Sequence, residues 1–579
     1  MADISTVVSR DDALDAGCKI SRFLIGGFMS RKLALAVFVA GLCAVAGGQV
    51  ATQQLPPGFV DPKPILDAAI RTIGNDKLNC VTIAGEGYNG AVGQQKEAGK
   101  NVDWPRPDKL GNYVRTMNWQ TKTMKEEFDR KPGLTPAAWK YGIGWLDGPL
   151  QKETHQIFML NASGPKVYAW HMDGAMGQPT PIEPDVAEIF PIELWMNPHG
   201  FLKAAQMPGA NPKATWRWEL GEMGRDGPTV IPEITNVVQI TAPGGWKIDA
   251  TINKEHMLQR MHTLAYDPVL GDLNYEHEFT NESYIDIGNG IKFPTGWHSH
   301  EGLDDNFNSQ TINAGHNAFG GTMKDVKANV CPDPVTVPDN VRNYQPPINP
   351  TMTKLADGVY SFEAGSYKSI AVEFPRWIAV FEAPRSEDFG LRTIEAIVKQ
   401  MPNKPIRYLI NSHQHSDAAA GMRAYSHIGA TFVTSWHNVD YYRHDFINYN
   451  ARTIRPDMVS QWPPTELAEG YYWEAVRENY TLEDQGRVMH MYYANPLQHA
   501  EGMLYAYLPK EKILIENDIV NTNNPRPAMP TRDMTTLRNN VRALGLDVQT
   551  LVPIHGKPIP WSDFTKLFPA QARQTASAN

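Results

Sequence analysis

The stretch Ile406-Arg-Tyr-Leu-Ile-Asn-Ser412-His413-Gln414-His415-Ser416-Asp417-Ala418-Ala-Ala-Gly421 decides how the second half of this chain is read. Its first six residues form a short apolar run interrupted by Arg407, which predicts a strand buried on both faces apart from that side chain. The run ends directly in ionisable residues, and small residues able to open a helix follow. Ligands gather at such strand ends in layered α/β folds. His413 and His415 are separated by one residue, so in extended chain both imidazoles point the same way and can meet one cation. Asp417 brings a carboxylate close behind. The chain has only 4 cysteines and no Cys-x-x-Cys pair, so a metal must be held by His and carboxylate, and zinc is the expected ion.

Working upstream, Val359-Tyr-Ser-Phe-Glu-Ala, Ser369-Ile-Ala-Val-Glu-Phe and Trp377-Ile-Ala-Val-Phe-Glu read as strands. A helix with Leu391, Ile394, Val398 and Met401 on one face follows them. Strand, strand, strand, helix, strand is an α/β order. Downstream, the same pattern of ligand beside strand recurs three times. His499 stands in a loop before Met503-Leu-Tyr-Ala-Tyr-Leu, Asp518 closes Lys512-Ile-Leu-Ile-Glu-Asn, and His555 closes Thr550-Leu-Val-Pro-Ile.

This ordered set resembles the metallo-β-lactamase superfamily, in which a His-x-His-x-Asp-His motif is followed by a later His, a later Asp and a final His. The match runs from Leu355 almost to the end, with six of the seven ligand positions present in order. Leu508-Pro-Lys-Glu-Lys-Ile-Leu also resembles the hairpin that the family places before its bridging aspartate. The resemblance implies an αββα sandwich with His413, His415 and His499 as a first metal site. Asp417, Asp518 and His555 would serve a second, Asp518 bridging the two. Ala418 stands where the motif's last histidine belongs, so the second site is weakened and one or two zinc ions are expected, with iron as the alternative because some relatives use it. His437 and His444 lie downstream, but no spacing demands them as replacements, and Gln414 between the ligands is expected to be neutral.

The implied chemistry is hydrolysis. Three neutral imidazoles leave a coordination position for water, which zinc acidifies to a pKa of ~7. Asp417 would be catalytic, orienting the hydroxide and passing its proton to the leaving group. The bond is an ester, amide or lactam, thioester or phosphoester, and the residues do not choose among them. Two other classes stay open at this point: a non-catalytic ligand-binding protein with a degraded metal site, and a mononuclear iron oxygenase of the same fold.

The rest of the chain sets the frame. With 579 residues, 42% of them apolar and 20% charged, it is long enough for two or more folded units and too apolar for disorder. A formal charge of −9 without any long basic run excludes nucleic acid as an expected partner. A small-molecule substrate is expected, and oligomeric state is left open. Met29 begins a leader with Arg31 and Lys32, an apolar core Leu33 to Val45, and small Ala44 and Ala46. Export to a periplasmic or extracellular location is therefore expected, with a membrane involved only through an uncleaved signal anchor. Residues 1–28 read as an extension upstream of the true start. Cys43 does not suit lipidation, because bulky Leu42 precedes it. Cys80 and Cys331 remain, and sequence separation leaves their pairing open.

The expected organisation is an extension and signal peptide over 1–46, a β-rich domain over 47–331, a proline-rich linker over 332–350 and the metallo-β-lactamase-like domain over 351–579. In the β-rich part, hairpin-like alternation is clear from about residue 230. Tyr284 to Gly296 resembles a stretch of periplasmic half-barrels akin to lipoprotein-sorting domains, which implies a concave apolar face for lipid or for positioning the second domain. The overall class is thus mixed α+β and α/β. A second His-x-His, His298-Ser-His300, has no acid or histidine partners in a familiar order and reads as structural. Tyr441, Tyr442, Phe446, Tyr449, Trp462, Tyr471, Tyr472 and Trp473 read as packing for the segment after the motif.

Overall fold

The structure is a computed structural model that describes residues 55–568 apart from 91, 99–103, 105–107, 133–153, 221–231, 281–282, 303–318, 332–334, 444–451, 463–471, 525–526 and 528. The leader expected over 1–46 lies outside them, as do His444, Phe446, Tyr449 and Tyr471. No described helix is long and apolar enough to cross a membrane. The described residues form one compact unit.

The first half is built on strands β1 (Cys80–Asn89), β2 (Asp108–Asn118), β3 (Thr123–Pro132), β4 (Thr154–Asn161), β5 (Tyr168–Asp173), β6 (Thr180–Pro181), β7 (Lys213–Leu220), β8 (Pro232–Thr241), β9 (Lys247–Ile252), β10 (Leu258–Asp267), β11 (Gly271–Phe279), β12 (Tyr284–Asp286), β13 (Lys292–Pro294), β14 (Gly296–Gly302) and β15 (Phe319–Ala328). Thirteen of them form one sheet in the order β6-β5-β4-β3-β2-β1-β15-β14-β11-β10-β9-β8-β7, while β12 and β13 pair separately. Strand character thus begins well before residue 230. Its signal was diluted in strands such as β3, where Lys125, Glu126, Glu127, Asp129 and Arg130 occupy much of the run. Cys80 and Cys331 form a disulfide with Cα atoms 5.8 Å apart, beside the register pair Val81 and Ala328 that joins β1 to β15.

The helix Pro62–Ile73 packs on this sheet. Asp61 caps it by accepting from the Lys63 amide at 3.0 Å, Pro62 takes the first turn, and Gly74 at φ 67° ends it. Its buried residues Leu66, Ala69, Ile70 and Ile73 follow helical spacing. They share one core with Leu194, Trp195, Phe201 and Leu202 from two further helical segments, and with Ile83, Met117, Ile248 and Met261 of the sheet. Among the described residues, then, the sheet's apolar face is packed by the chain's own helices. Within 332–350 a single helical turn, Asp339–Arg342, forms directly after Pro338 and buries Val341 against Trp170. Pro338 stands at its start, where no amide donor is missed, so the proline-rich linker accommodates this turn.

The second half has a seven-stranded sheet in sequential order, β16 (Thr351–Ala356), β17 (Val359–Ala364), β18 (Tyr367–Glu373), β19 (Ile378–Phe381), β20 (Ile406–Ile410), β21 (Thr431–Ser435) and β22 (Trp473–Val476). A six-stranded sheet follows, β23 (Asn479–Asp484), β24 (Arg487–Tyr493), β25 (Leu504–Leu508), β26 (Ile513–Glu516), β27 (Thr550–Pro553) and β28 (Ile559–Pro560). Ile370, Val372, Phe381 and Ile410 of one share a core with Met491, Leu504, Ile515 and Val552 of the other. The first sheet's remaining apolar residues, including Phe362 and Val380, pack with Ile394 and Ile397 of the helix Glu387–Gln400 and with Met422 and Ala424. On the second sheet, Tyr505, Leu514 and Leu551 pack with Leu537 and Val541 of the helix Arg532–Ala543.

β20 is the strand expected from its apolar run, paired parallel to both β19 and β21, with Arg407 exposed. The helix before it differs in detail. Val398 is 45% exposed, and Gly390, Ile394 and Ile397 carry the buried stripe. A 3.6-residue period brings Ile397 rather than Val398 back beneath Ile394 and Gly390. Tyr441 and Tyr442 are core residues, as packing required, whereas Trp462 and Tyr472 are 59% and 67% exposed.

The β10–β11 turn fastens the thirteen-stranded sheet to this part. Val269, Leu270 and Leu273 enter the core that contains Met422 and Tyr425, with Trp104 beside them. Arg452 donates to the carbonyls of Asp267 at 3.3 Å, Pro268 at 3.2 Å and Val269 at 2.6 Å. Asp272 accepts from the Thr453 amide at 2.6 Å.

Candidate metal centre

All six sequence-derived ligands come together at the carboxyl ends of β20, β26 and β27. His413 and His415 follow β20, His415 at the N-cap of the helix Ser416–Ala419, which carries Asp417 and the buried Ala418. Asp518 follows β26 in the left-handed region at φ 60°, which an aspartate tolerates better than most side chains. His555 follows β27, which runs parallel to β26. The turn behind it uses Gly556 at φ 110°, where a Cβ would strike the Thr522 hydroxyl.

His413, His415 and His499 are buried and direct one nitrogen each to a common point. His415 Nδ1 lies 3.1 Å from His499 Nε2, which lies 3.2 Å from His413 Nε2. Ligand atoms on ~2.1 Å bonds at tetrahedral angles stand about 3.4 Å apart, so these spacings suit a single zinc-sized ion. Asp518 Oδ2 is 3.2 Å from His413 Nε2 and 3.5 Å from His499 Nε2, and its Oδ1 is 3.0 Å from His555 Nε2. His555 Nε2 is also 3.2 Å from Asp417 Oδ2. Asp518 therefore stands between the three-histidine cluster and the pair Asp417 and His555.

The donor set fits a divalent cation. Asp417 Oδ1 is a buried oxygen without a hydrogen bond, a costly state that a cation relieves. Burial, then the neighbouring His413 and His499, hold His415 well below the ordinary imidazole pKa and keep its ring neutral, the form that coordinates. Burial opposes protonation of His555 too, but its contacts with Asp417 and Asp518 outweigh this and raise it to about 11. A cation taken up there displaces that proton.

The outer contacts set ring orientation. Ser412 Oγ is 2.8 Å from His413 Nδ1, leaving Nε2 to face inward. Glu382 Oε1 accepts from the Ser412 amide at 2.9 Å, and the Tyr442 hydroxyl lies 3.1 Å from the His413 carbonyl. Asp533, fully buried in the first turn of the helix Arg532–Ala543, accepts from the amides of Gln498 at 2.8 Å and His499 at 2.9 Å. Lys368, buried on β18, donates to the Pro553 carbonyl at 3.2 Å and to that of Gly556, holding the chain around His555. Sequence reading missed these groups. Asp533 alone left a trace, as an acid two residues beyond the Thr531 cap.

His415 is held from the first half of the chain. The fully buried Gln95 lends its carbonyl to His415 Nε2 at 3.0 Å and to Gln414 Nε2 at 2.7 Å, and the Lys96 carbonyl accepts from the Glu501 amide at 2.8 Å. Gln414, expected to be neutral, thus anchors the segment Val92–Ala98. His437 is not in the metal cluster. Its Nδ1 lies 3.6 Å from Glu501 and its Nε2 3.4 Å from the Tyr493 hydroxyl.

No family model matches the chain. Among solved structures, it is similar to a metallo-β-lactamase from Pontibacter korlensis at 16% identity, over 38% of this chain and 96% of that one, with a TM-score of 0.29. It is similar to one from Hirschia baltica at 17% identity, over 38% and 96%, with a TM-score of 0.28. FIM-1 from Pseudomonas aeruginosa, in its mono-zinc form, gives 15% identity over 37% and 92%, with a TM-score of 0.27.

Proposed function

We propose that this protein is an exported metal-dependent hydrolase whose residues 351–579 form an αββα sandwich of the metallo-β-lactamase type, acting on a small molecule. The observation that carries the reading is the convergence of His413, His415 and His499 on one point, with Asp417, Asp518 and His555 alongside.

His413 Nε2, His415 Nδ1 and His499 Nε2 would hold the first ion, and Asp417, Asp518 and His555 a second, weaker one in the absence of a histidine at Ala418. When bound, zinc supplies a Lewis acid that polarises the scissile carbonyl or phosphoryl and acidifies a water. The protein's own part is placement and proton handling. Asp417 Oδ1, buried and without a hydrogen bond, accepts one from the attacking water and orients it toward the scissile bond. The same carboxylate then carries the proton toward the leaving group. His555 holds Asp417 through its other oxygen, so the free oxygen keeps its direction. Asp533 holds the backbone at His499 and the Gln95 carbonyl holds the ring of His415 before substrate arrives, so little reorganisation is left for the reaction.

Metal analysis of the purified chain, followed by a panel of chromogenic ester, lactam, thioester and phosphoester substrates, tests this. One or two zinc ions per chain and a hydrolysis that chelation stops and zinc restores are the expected results. Iron with no hydrolysis would move the assignment to an oxygenase. A chain that binds no metal would be a ligand-binding protein.

A further inference from the structure

His298 and His300 had no partner in the sequence. The sheet supplies one. In β14 they alternate with Trp297 and Ser299, which are buried in the core, so both imidazoles stand on the opposite face. The antiparallel register sets Glu278 of β11 directly across from His298 and Glu276 across from His300. Glu278 Oε2 lies 3.0 Å from His298 Nε2, and the two imidazole centroids are 4.8 Å apart. One ligand atom from each of Glu278, His298 and His300 lies within 4.8 Å of the other two.

We propose that Glu278, His298 and His300 form a divalent transition-metal site on the thirteen-stranded sheet, separate from the centre built on β20, β26 and β27. Two imidazoles and one carboxylate are borderline donors that suit zinc and its first-row neighbours. The 3.0 Å contact between Glu278 and His298 is the spacing of two ligands at right angles on ~2.1 Å bonds. Their three backbones are clamped in adjacent paired strands, so little chain order is lost on binding. The His298 and Glu278 side chains are 39% and 26% exposed, so an ion can enter from solvent and keep water on its open side.

One neighbour opposes binding. Arg260, across from Glu278 on β10, holds the other carboxylate oxygen through Nε at 3.0 Å. It orients Glu278 with Oε2 toward the imidazoles, yet its charge repels an incoming cation. The site is therefore weaker than the three-histidine centre and distinguishable from it by titration. His262, across from Glu276 on β10, is already engaged with Asn274 at 3.0 Å and is not a ligand.

Zinc titration of the full chain against a competing chelator tests the assignment. The intact protein is expected to show one weaker equivalent beyond those of the main centre. His298→Ala and His300→Ala should each weaken that equivalent by at least about tenfold, the least that loss of even an outer contact costs, while the tight equivalents and any hydrolytic turnover are unchanged. Arg260→Gln should tighten the weak equivalent severalfold, a gain that misfolding cannot produce. Cobalt or copper in place of zinc should give a second set of visible bands that disappears in His300→Ala. Identical titrations for the intact chain, the His298→Ala/His300→Ala double variant and Arg260→Gln would overturn the proposal.

Discussion

Asp533 offers the sharpest test of how the candidate metal centre is held. Its carboxylate is fully buried and accepts two backbone amides, those of Gln498 at 2.8 Å and His499 at 2.9 Å. Asp533→Ala removes both acceptors at once, in a place water does not reach. A buried donor left without a partner costs about 1–3 kcal/mol, so the pair should cost about 2–6 kcal/mol of stability. The loop bearing His499 is then free to shift, and the third imidazole leaves its place opposite His413 and His415. Loss of such an outer contact lowers metal affinity by about 10–100-fold. Asp533→Asn keeps the shape but presents one amide NH2 toward a donor, so it should fall between the two. Urea unfolding in the presence of chelator measures the stability term, and zinc competition in native buffer measures the affinity term. If Asp533→Ala stays within about 1 kcal/mol in stability and twofold in zinc affinity, His499 is placed by something else and the reasoning fails.

Other outcomes follow from the same contacts. Replacing residues 94–97 by a Gly-Ser linker keeps a carbonyl at position 95 but frees it from the fixed place from which it orients His415; zinc affinity should fall about tenfold, and an unchanged titration would show the strap to be idle. Asp417→Ala should retain metal at the three-histidine cluster yet lower turnover by about 10²–10⁴, so intact turnover with metal bound would remove Asp417 from the mechanism. His199 is fully buried, and burial lowers its pKa to about 3. Above ~6.5 the ring is neutral whether the chain is folded or unfolded. Below that the unfolded chain takes up the proton, so stability is lost as pH falls toward the folded value, by about 2 kcal/mol at pH 5. His199→Gln should flatten that part of the stability curve, and an identical slope would contradict it. Cys331→Ser, which opens the link from Cys80, should cost about 2–5 kcal/mol under oxidising conditions and nothing in reductant; equal unfolding curves in both would disprove it.

Why some residues of the centre were legible and others were not is a matter of how each is selected. His413, His415, Asp417, His499, Asp518 and His555 each sit just beyond or before an apolar run, and that local pattern survives in one dimension because it reflects strand burial. The groups that orient them carry no such pattern. Gln95 meets His415 across 320 residues through its backbone carbonyl, an atom every residue possesses, so no side chain identifies it. Lys368 is a single charge beside an apolar run, and only the fold buries it against the Pro553 and Gly556 carbonyls that flank His555. In the first half, charged strands such as β3 hid their alternation, so the sheet reaches much farther toward the N-terminus than its pattern indicated.

The sequence by itself determined which ligand types could gather at the candidate centre, because ligand chemistry belongs to residue types and their order along strand ends. It also determined β20 and the run of elements around it, since burial and period are local properties. Only the tertiary structure decided that the first half of the chain reaches into the centre at His415, that Asp533 holds His499, and that Glu278 stands across from His298. Those relations depend on strand register and on contacts between distant segments, and neither has a period that can be read along the chain.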